Sequence, residues 1–152
     1  MFSKIITSFA GQLFIVLMGL AIVSACSMRA ETKPVVANQL TDTEWELKKL
    51  SNYEAAAPIE RAPTLSFSEN RLSGFNGCNR IFANYAARQD GSIALGQVGS
   101  TKMACRGQAG DLEKNINQAL AMTQLFALSR DALNLMDGQR NVLMVLTPKV
   151  TK

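Results

Sequence analysis

The chain has 152 residues, a formal net charge of +4, three cysteines and no histidine. That length suits one domain plus a targeting segment, with a core large enough to fold without metals. The missing histidine removes Ser-His-Asp and Cys-His catalysis and every His-based zinc, copper or iron site; the expectation is of no metal and no cofactor.

The chain opens with Met-Phe-Ser-Lys and a largely apolar stretch from Ile5 to Val23, interrupted by Ser8 and Gln12. Lys4 is its short positive n-region. The stretch ends in Val23-Ser24-Ala25-Cys26, a branched residue and two small ones before cysteine, which is the lipobox pattern. Residues 1–25 therefore read as a lipoprotein signal peptide and Cys26 as the lipidated residue; an uncleaved anchor or a simple secretory signal are the alternatives. A thioether diacylglycerol plus an N-acyl chain is enough for stable anchoring. Ser27, in place of Asp, directs such a protein to the outer membrane of a Gram-negative host, facing the periplasm. Residues 26–40 show no clean period and contain Pro34, so they read as a lipidated tether. Residues 41–152 form the domain.

In the domain, Trp45 and Leu47 alternate with Glu44, Glu46 and Lys48, which predicts a strand with one buried face. Residues 51 to 63, with Pro58 and Pro63, read as a loop. Leu65 and Phe67 mark a second strand, Glu69-Asn70 a turn, and Arg71 to Phe75 a third strand stopped by Asn76-Gly77. The fourth runs from Ile81 to Ala87, with Phe82 on one face and Ile81, Ala83 and Tyr85 on the other. Asp90-Gly91 is a hairpin turn, and a fifth strand runs from Ile93 on through Val98. Helical spacing of Leu112, Ile116, Ala119 and Leu120 predicts a helix from Ala109 to Phe126, with Asp111 and Glu113 in its first turns. Strands follow at Phe126 to Leu128, at Leu133 to Leu135, and at Val142 to Leu146, where Val142, Met144 and Leu146 share a face. The order predicts an α+β fold, a small antiparallel sheet curled into an open barrel and packed against one long helix.

Two segments carry a resemblance. Arg71-Leu72-Ser73-Gly74-Phe75-Asn76-Gly77-Cys78-Asn79-Arg80 resembles the Gly-Cys-Asn segment of the META/HslJ family, and Ser100-Thr101-Lys102-Met103-Ala104-Cys105 resembles its Thr-x-Met-Ala-Cys segment. The family motif positions here are Gly74, Gly77, Asn79, Thr101 and Met103, supported by Trp45, Leu65, Phe67, Tyr85 and Glu113. The resemblance covers roughly residues 40 to 147. It implies a small envelope lipoprotein; the bacterial namesake is linked to heat shock and novobiocin tolerance, and a trypanosomatid form is similar in fold to a pilot lipoprotein that escorts secretins. It supplies no catalytic residue.

With Cys26 lipidated, Cys78 and Cys105 remain, and an even remainder in an exported chain points to a disulfide; two buried thiols or a reactive pair are the alternatives. Gly74 to Gly77 lacks the P-loop lysine and no helix follows, so it reads as a structural turn, with Gly77 allowing an unusual backbone angle or a close approach. Asn79 reads as a residue that caps or bridges neighbouring strands, with a binding role as the alternative. Met103 reads first as core filler and second as part of a soft contact surface. Glu113 reads as a first-turn helix charge. Asp90, Asp111 and Asp137 are accounted for by turns and helix ends, leaving no carboxylate pair spaced for acid–base work.

The basic residues Arg61, Arg71, Arg80 and Arg88 are scattered singly in the sequence, so no nucleic-acid partner is expected and a solvated surface is the plain reading. The expected partners are membrane lipid, through acylated Cys26, and an outer-membrane protein. The expected function is a non-enzymatic module for stress tolerance or partner binding. A pilot for a secretion complex is the alternative, needing an exposed apolar groove near Phe75, Ile81 and Phe82. An enzyme would most plausibly be a thiol oxidoreductase using Cys78 and Cys105. Loop 51 to 63 as an inhibitory segment is open but has no support.

Overall fold

The computed structural model describes residues 40–54 and 60–149. The expected signal peptide, Cys26, most of the expected tether and the middle of the loop at 51 to 63 lie outside the described residues.

Among the described residues, nine strands and one helix follow in chain order: β1 (Glu44–Leu50), β2 (Thr64–Ser68), β3 (Arg71–Phe75), β4 (Arg80–Ala87), β5 (Ile93–Leu95), β6 (Gly99–Ser100), α1 (Gln108–Met122), β7 (Leu125–Leu128), β8 (Leu133–Met136) and β9 (Val142–Pro148). The strands pair antiparallel in the order β5-β4-β3-β2-β1-β9-β8-β7, with β6 as a short extra partner of β4. Each hairpin joins sequence neighbours, and β1 joins the two runs by pairing with both β2 and β9. The two ends of this sheet meet: Ser92 bridges Leu125, Ile93 N donates to Gln124 O at 2.9 Å, and Phe126 N donates to Gly91 O at 2.8 Å. The result is the nearly closed barrel with one packed helix that the strand and helix periods predict, an α+β fold.

Alternation along the strands fills the interior. On β4, Ile81, Ala83 and Tyr85 are buried while Arg80, Phe82 and Asn84 face outward. On β2 and β3, Leu65, Phe67 and Leu72 point in, and the Phe67 and Tyr85 rings meet edge to face at 5.1 Å. Helix α1 closes the core with Leu112, Ile116, Ala119 and Leu120 at helical spacing. Burying each of its larger apolar side chains stabilises by roughly 1.5–3 kcal/mol.

Two element ends and one strand face depart most from the sequence reading. The helix ends at Met122, not Phe126, because Thr123 is extended and Gln124 N donates to Met136 O of β8 at 2.9 Å. Sheet pairing takes the backbone there, and Phe126 is a buried strand residue. The fifth strand stops at Leu95; the chain leaves β5 and returns to β4 as β6, with Ser100 opposite Ile81 and Gly99 opposite Phe82. On β9, Val142 is 43% exposed while Leu143, Met144 and Leu146 are buried. A register shift opposite Leu135 and Met136 puts Leu143 inside where simple alternation puts Val142.

Candidate functional site

The two motif segments meet between the turn that leads into β4 and the start of α1. Cys78 and Cys105 are disulfide-bonded, with Cα atoms 6.0 Å apart across a sequence separation of 27. Around the bond lies a network of side-chain amides. Asn76 is fully buried; its Oδ1 accepts from the backbone N–H of Cys78 at 3.2 Å and of Asn79 at 2.7 Å, which holds the tight turn. Its Nδ2 donates to Asn117 Oδ1 on the helix at 3.1 Å. Gly77, at the turn's apex, has φ 96°, and a Cβ there would lie 2.7 Å from Leu112 Cδ2. Only glycine accepts both that angle and that closeness. Gly74 is limited differently: a Cβ would meet Thr64 O of the neighbouring strand at 2.1 Å.

Asn79, also buried, uses its whole amide. Its Oδ1 accepts from Thr101 Oγ1 at 2.7 Å and from Met103 N at 2.8 Å. Its Nδ2 donates to Glu113 Oε1 at 2.9 Å and to Met103 O at 3.3 Å, and reaches Cys78 Sγ at 3.2 Å. Thr101 Oγ1 in turn accepts from Arg80 N at 3.1 Å. One side chain thus ties β4, the segment after β6 and helix α1 together. Glu113 is the sixth residue of α1, not a first-turn charge, and its carboxylate is the helix end of this clasp.

The clasp displays what it holds. Met103 is 65% exposed, although both polar atoms of its backbone are bonded to Asn79. Core filling is therefore not its role. Lys102, Ala104 and Arg106 around it are exposed too, while Cys78 is buried.

A second feature was not legible as a site in the sequence. The outward faces of β2, β3 and β4 form a groove of about 400 Å³, floored by Thr64, Ser66 and Ser73 and walled by Arg61, Arg71, Arg80, Phe75 and Phe82. Arg61 sits 4.2 Å over the Phe75 ring and Arg71 lies 5.8 Å from the Phe82 ring. Arginines far apart in sequence converge because the register sets Phe75 opposite Arg80, and Ser73 opposite Phe82. Ile81, Phe75 and Phe82 all line this groove, but Ile81 is 2% exposed and the walls are cationic, so it is not the apolar groove expected at these residues. Strand alternation explains the difference: Ile81 points into the barrel.

Elsewhere the carboxylates are engaged locally. Glu44 bonds Lys149 at 2.9 Å; that bond, more than any other contact, holds its pKa below the usual carboxylate range. Asp137 accepts from Asn141 Nδ2 and from the backbone N–H groups of Asn141 and Gln139, which lowers its pKa, and Asp90 is lowered by the hydroxyl and N–H of Ser92. Among the described residues no cluster of Cys, Asp and Glu is placed to hold a metal ion, and no helix is long and apolar enough to cross a membrane.

Barrel, helix and paired motifs define a class, and comparison with known proteins agrees. Residues 38–149 match the META domain, so the chain belongs to the META domain family. It is similar to a protein from Burkholderia xenovorans solved by NMR, with 26% identity over 78% of this chain and 90% of that one, TM-score 0.62. A DUF4847 family protein from Bacteroides vulgatus, known from a crystal structure, shares the fold at 12% identity, covering 77% of this chain and 99% of that one, TM-score 0.58. None of the proteins with curated descriptions matches the chain.

Proposed function

We propose that this protein is a non-enzymatic binding module of the cell envelope, lipid-anchored at Cys26 to the outer membrane and facing the periplasm, where it supports stress tolerance through a protein partner. The observation that carries the reading is the exposure of Met103 on a backbone fixed by Asn79. A soft, polarisable side chain on a rigid segment makes an apolar contact without the ordering cost of a loose loop. Lys102 and Arg106 flank it with charge, the mixed character of a contact patch rim. The lipobox sequence ending in Cys26 supports the anchor. A pilot or assembly role is the case in which the partner is an outer-membrane complex component. The thiol oxidoreductase reading has less support, since Cys78 is buried among asparagines and its bond staples a structural turn.

Two measurements test the reading. The mass of the mature protein is expected to correspond to a chain beginning at an acylated Cys26; an unmodified Cys26 contradicts the anchor. A strain deleted for the gene is expected to lose tolerance to heat or to drugs crossing the outer membrane, with wild-type restoring it and Met103→Glu failing to do so. Full rescue by Met103→Glu contradicts a contact through this segment.

A further inference from the structure

The arginine side chains of the groove on the outer face of β2, β3 and β4 have no role in the clasp, in the core or in the Met103 surface. Among the described residues the ion pairs are Lys48–Glu46 and Lys149–Glu44, so Arg71 and Arg80 carry two charges with no carboxylate partner, and Arg61 adds a third near Glu44. Glu44 also lines the groove; it bonds Lys149 and lies in the field of Arg61, so one carboxylate faces four cations and the groove keeps a positive excess. With Arg61 and Arg71 packed beside phenylalanine rings, guanidinium edges remain available as forks of N–H donors, the geometry that matches phosphate oxygens. The floor adds the hydroxyls of Ser66 and Ser73.

We propose that this groove docks the domain on the phosphate headgroups of an anionic bilayer. Three observations favour that occupant. The charge is concentrated and in net positive excess, which selects an anion. The volume of about 400 Å³ lies at the small end of ligand sites, the scale of a headgroup and not of a folded partner. Phe82, 45% exposed beside the arginines, gives an apolar ring for the interfacial layer, the pairing of aromatic and basic side chains that membrane surfaces favour. Position agrees: Glu44 lines the groove only four residues beyond residue 40, where the tether reaches the domain, and residues 26–40 can extend at most about 50 Å. A domain so tethered stays within reach of the headgroups. The inference uses the anchor reading only for proximity.

The test uses the full chain in lipid nanodiscs of phosphatidylcholine alone, or of equal parts phosphatidylcholine and phosphatidylglycerol, each carrying a trace of headgroup nitroxide lipid. Broadening of backbone amide signals is read along β3 and β4. The expected result is several-fold stronger broadening at 71–75 and 80–84 in the anionic discs, lost in high salt and in the Arg71→Gln/Arg80→Gln double variant, whose core signals stay unshifted. Equal broadening in both disc types, or broadening that survives the double variant, overturns the proposal. Inorganic phosphate shifting the same amides while anionic discs cause no broadening also overturns it, in favour of a free anion. Acylation of Cys26 is read by mass in the same preparation, and the apolar segment from Ile5 to Val23 can hold an unacylated chain in the disc. Failure of the anchor and failure of the groove are therefore separate results.

Discussion

Asn79 Nδ2 donates to Glu113 Oε1 at 2.9 Å, a bond between the residue just before the barrel's longest strand and the second turn of its helix. Because the same amide's oxygen accepts from Thr101 and Met103, the helix, the sheet and the exposed segment share one buried side chain. Replacing Asn79 by Ala leaves Met103 N and the Glu113 carboxylate to find new partners in a site that water reaches poorly. A loss of about 2–4 kcal/mol is expected in urea unfolding. A loss below about 0.5 kcal/mol would show that the clasp is not a structural element.

The disulfide acts on the same segment from the other side. The double variant Cys78→Ala/Cys105→Ala is expected to lose about 3.5 kcal/mol, the chain-entropy value for a loop of this length. Its amides from 102 to 107 should exchange with solvent faster than those of β3 and β4. Uniform acceleration across the sheet would mean that the bond supports the whole barrel and not the segment.

Tyr85 makes the opposite prediction. It is 6% exposed, its hydroxyl has no hydrogen-bond partner among the described residues, and burial pushes its pKa up. Tyr85→Phe removes a dehydrated polar atom while keeping the ring against Phe67, so stability should be unchanged or higher by up to about 1 kcal/mol. A clear loss in thermal unfolding would reveal a partner for that hydroxyl.

Acid sensitivity should come from the turn carboxylates. Asp137 has a folded pKa below its unfolded value, chiefly through Asn141, and Asp90 and Glu44 shift the same way. The folded state therefore binds fewer protons at these groups. Their stabilisation is complete above the unfolded carboxylate range and is lost as pH falls through the folded values, below about pH 4. Asp137→Asn is expected to flatten the acid limb of a stability–pH curve while changing little of its shape at neutral pH. An acid limb as steep as wild type would contradict this assignment.

Much of this was legible in the sequence. The period-two alternation of Ile81, Ala83 and Tyr85 and the helical spacing of Leu112, Ile116 and Leu120 mark faces directly, since one face of each element is buried. What the periods miss is set by pairing. Val142 and Leu143 exchange faces at a register shift, and Phe126 leaves the helix because β8 claims the backbone at Gln124. The site divides similarly. Cys78, Asn79, Thr101 and Met103 stand out as motif positions, yet Asn76 and Asn117 become visible as partners only once the turn is folded. Arg61, Arg71 and Arg80 look like isolated surface charges until the antiparallel register of β3 and β4 sets them around one groove. Outward alternate positions on adjoining predicted strands were the signal that could have found it.

The most direct test of the central claim places a photo-crosslinking residue at Met103 in intact cells, with Gln139, exposed in the β8–β9 turn, as the control position. The account predicts one envelope protein captured from position 103, none from 139, and loss of capture when Asn79→Ala releases the segment. Equal capture from both positions, or none from 103 in a folded and membrane-bound protein, would contradict it.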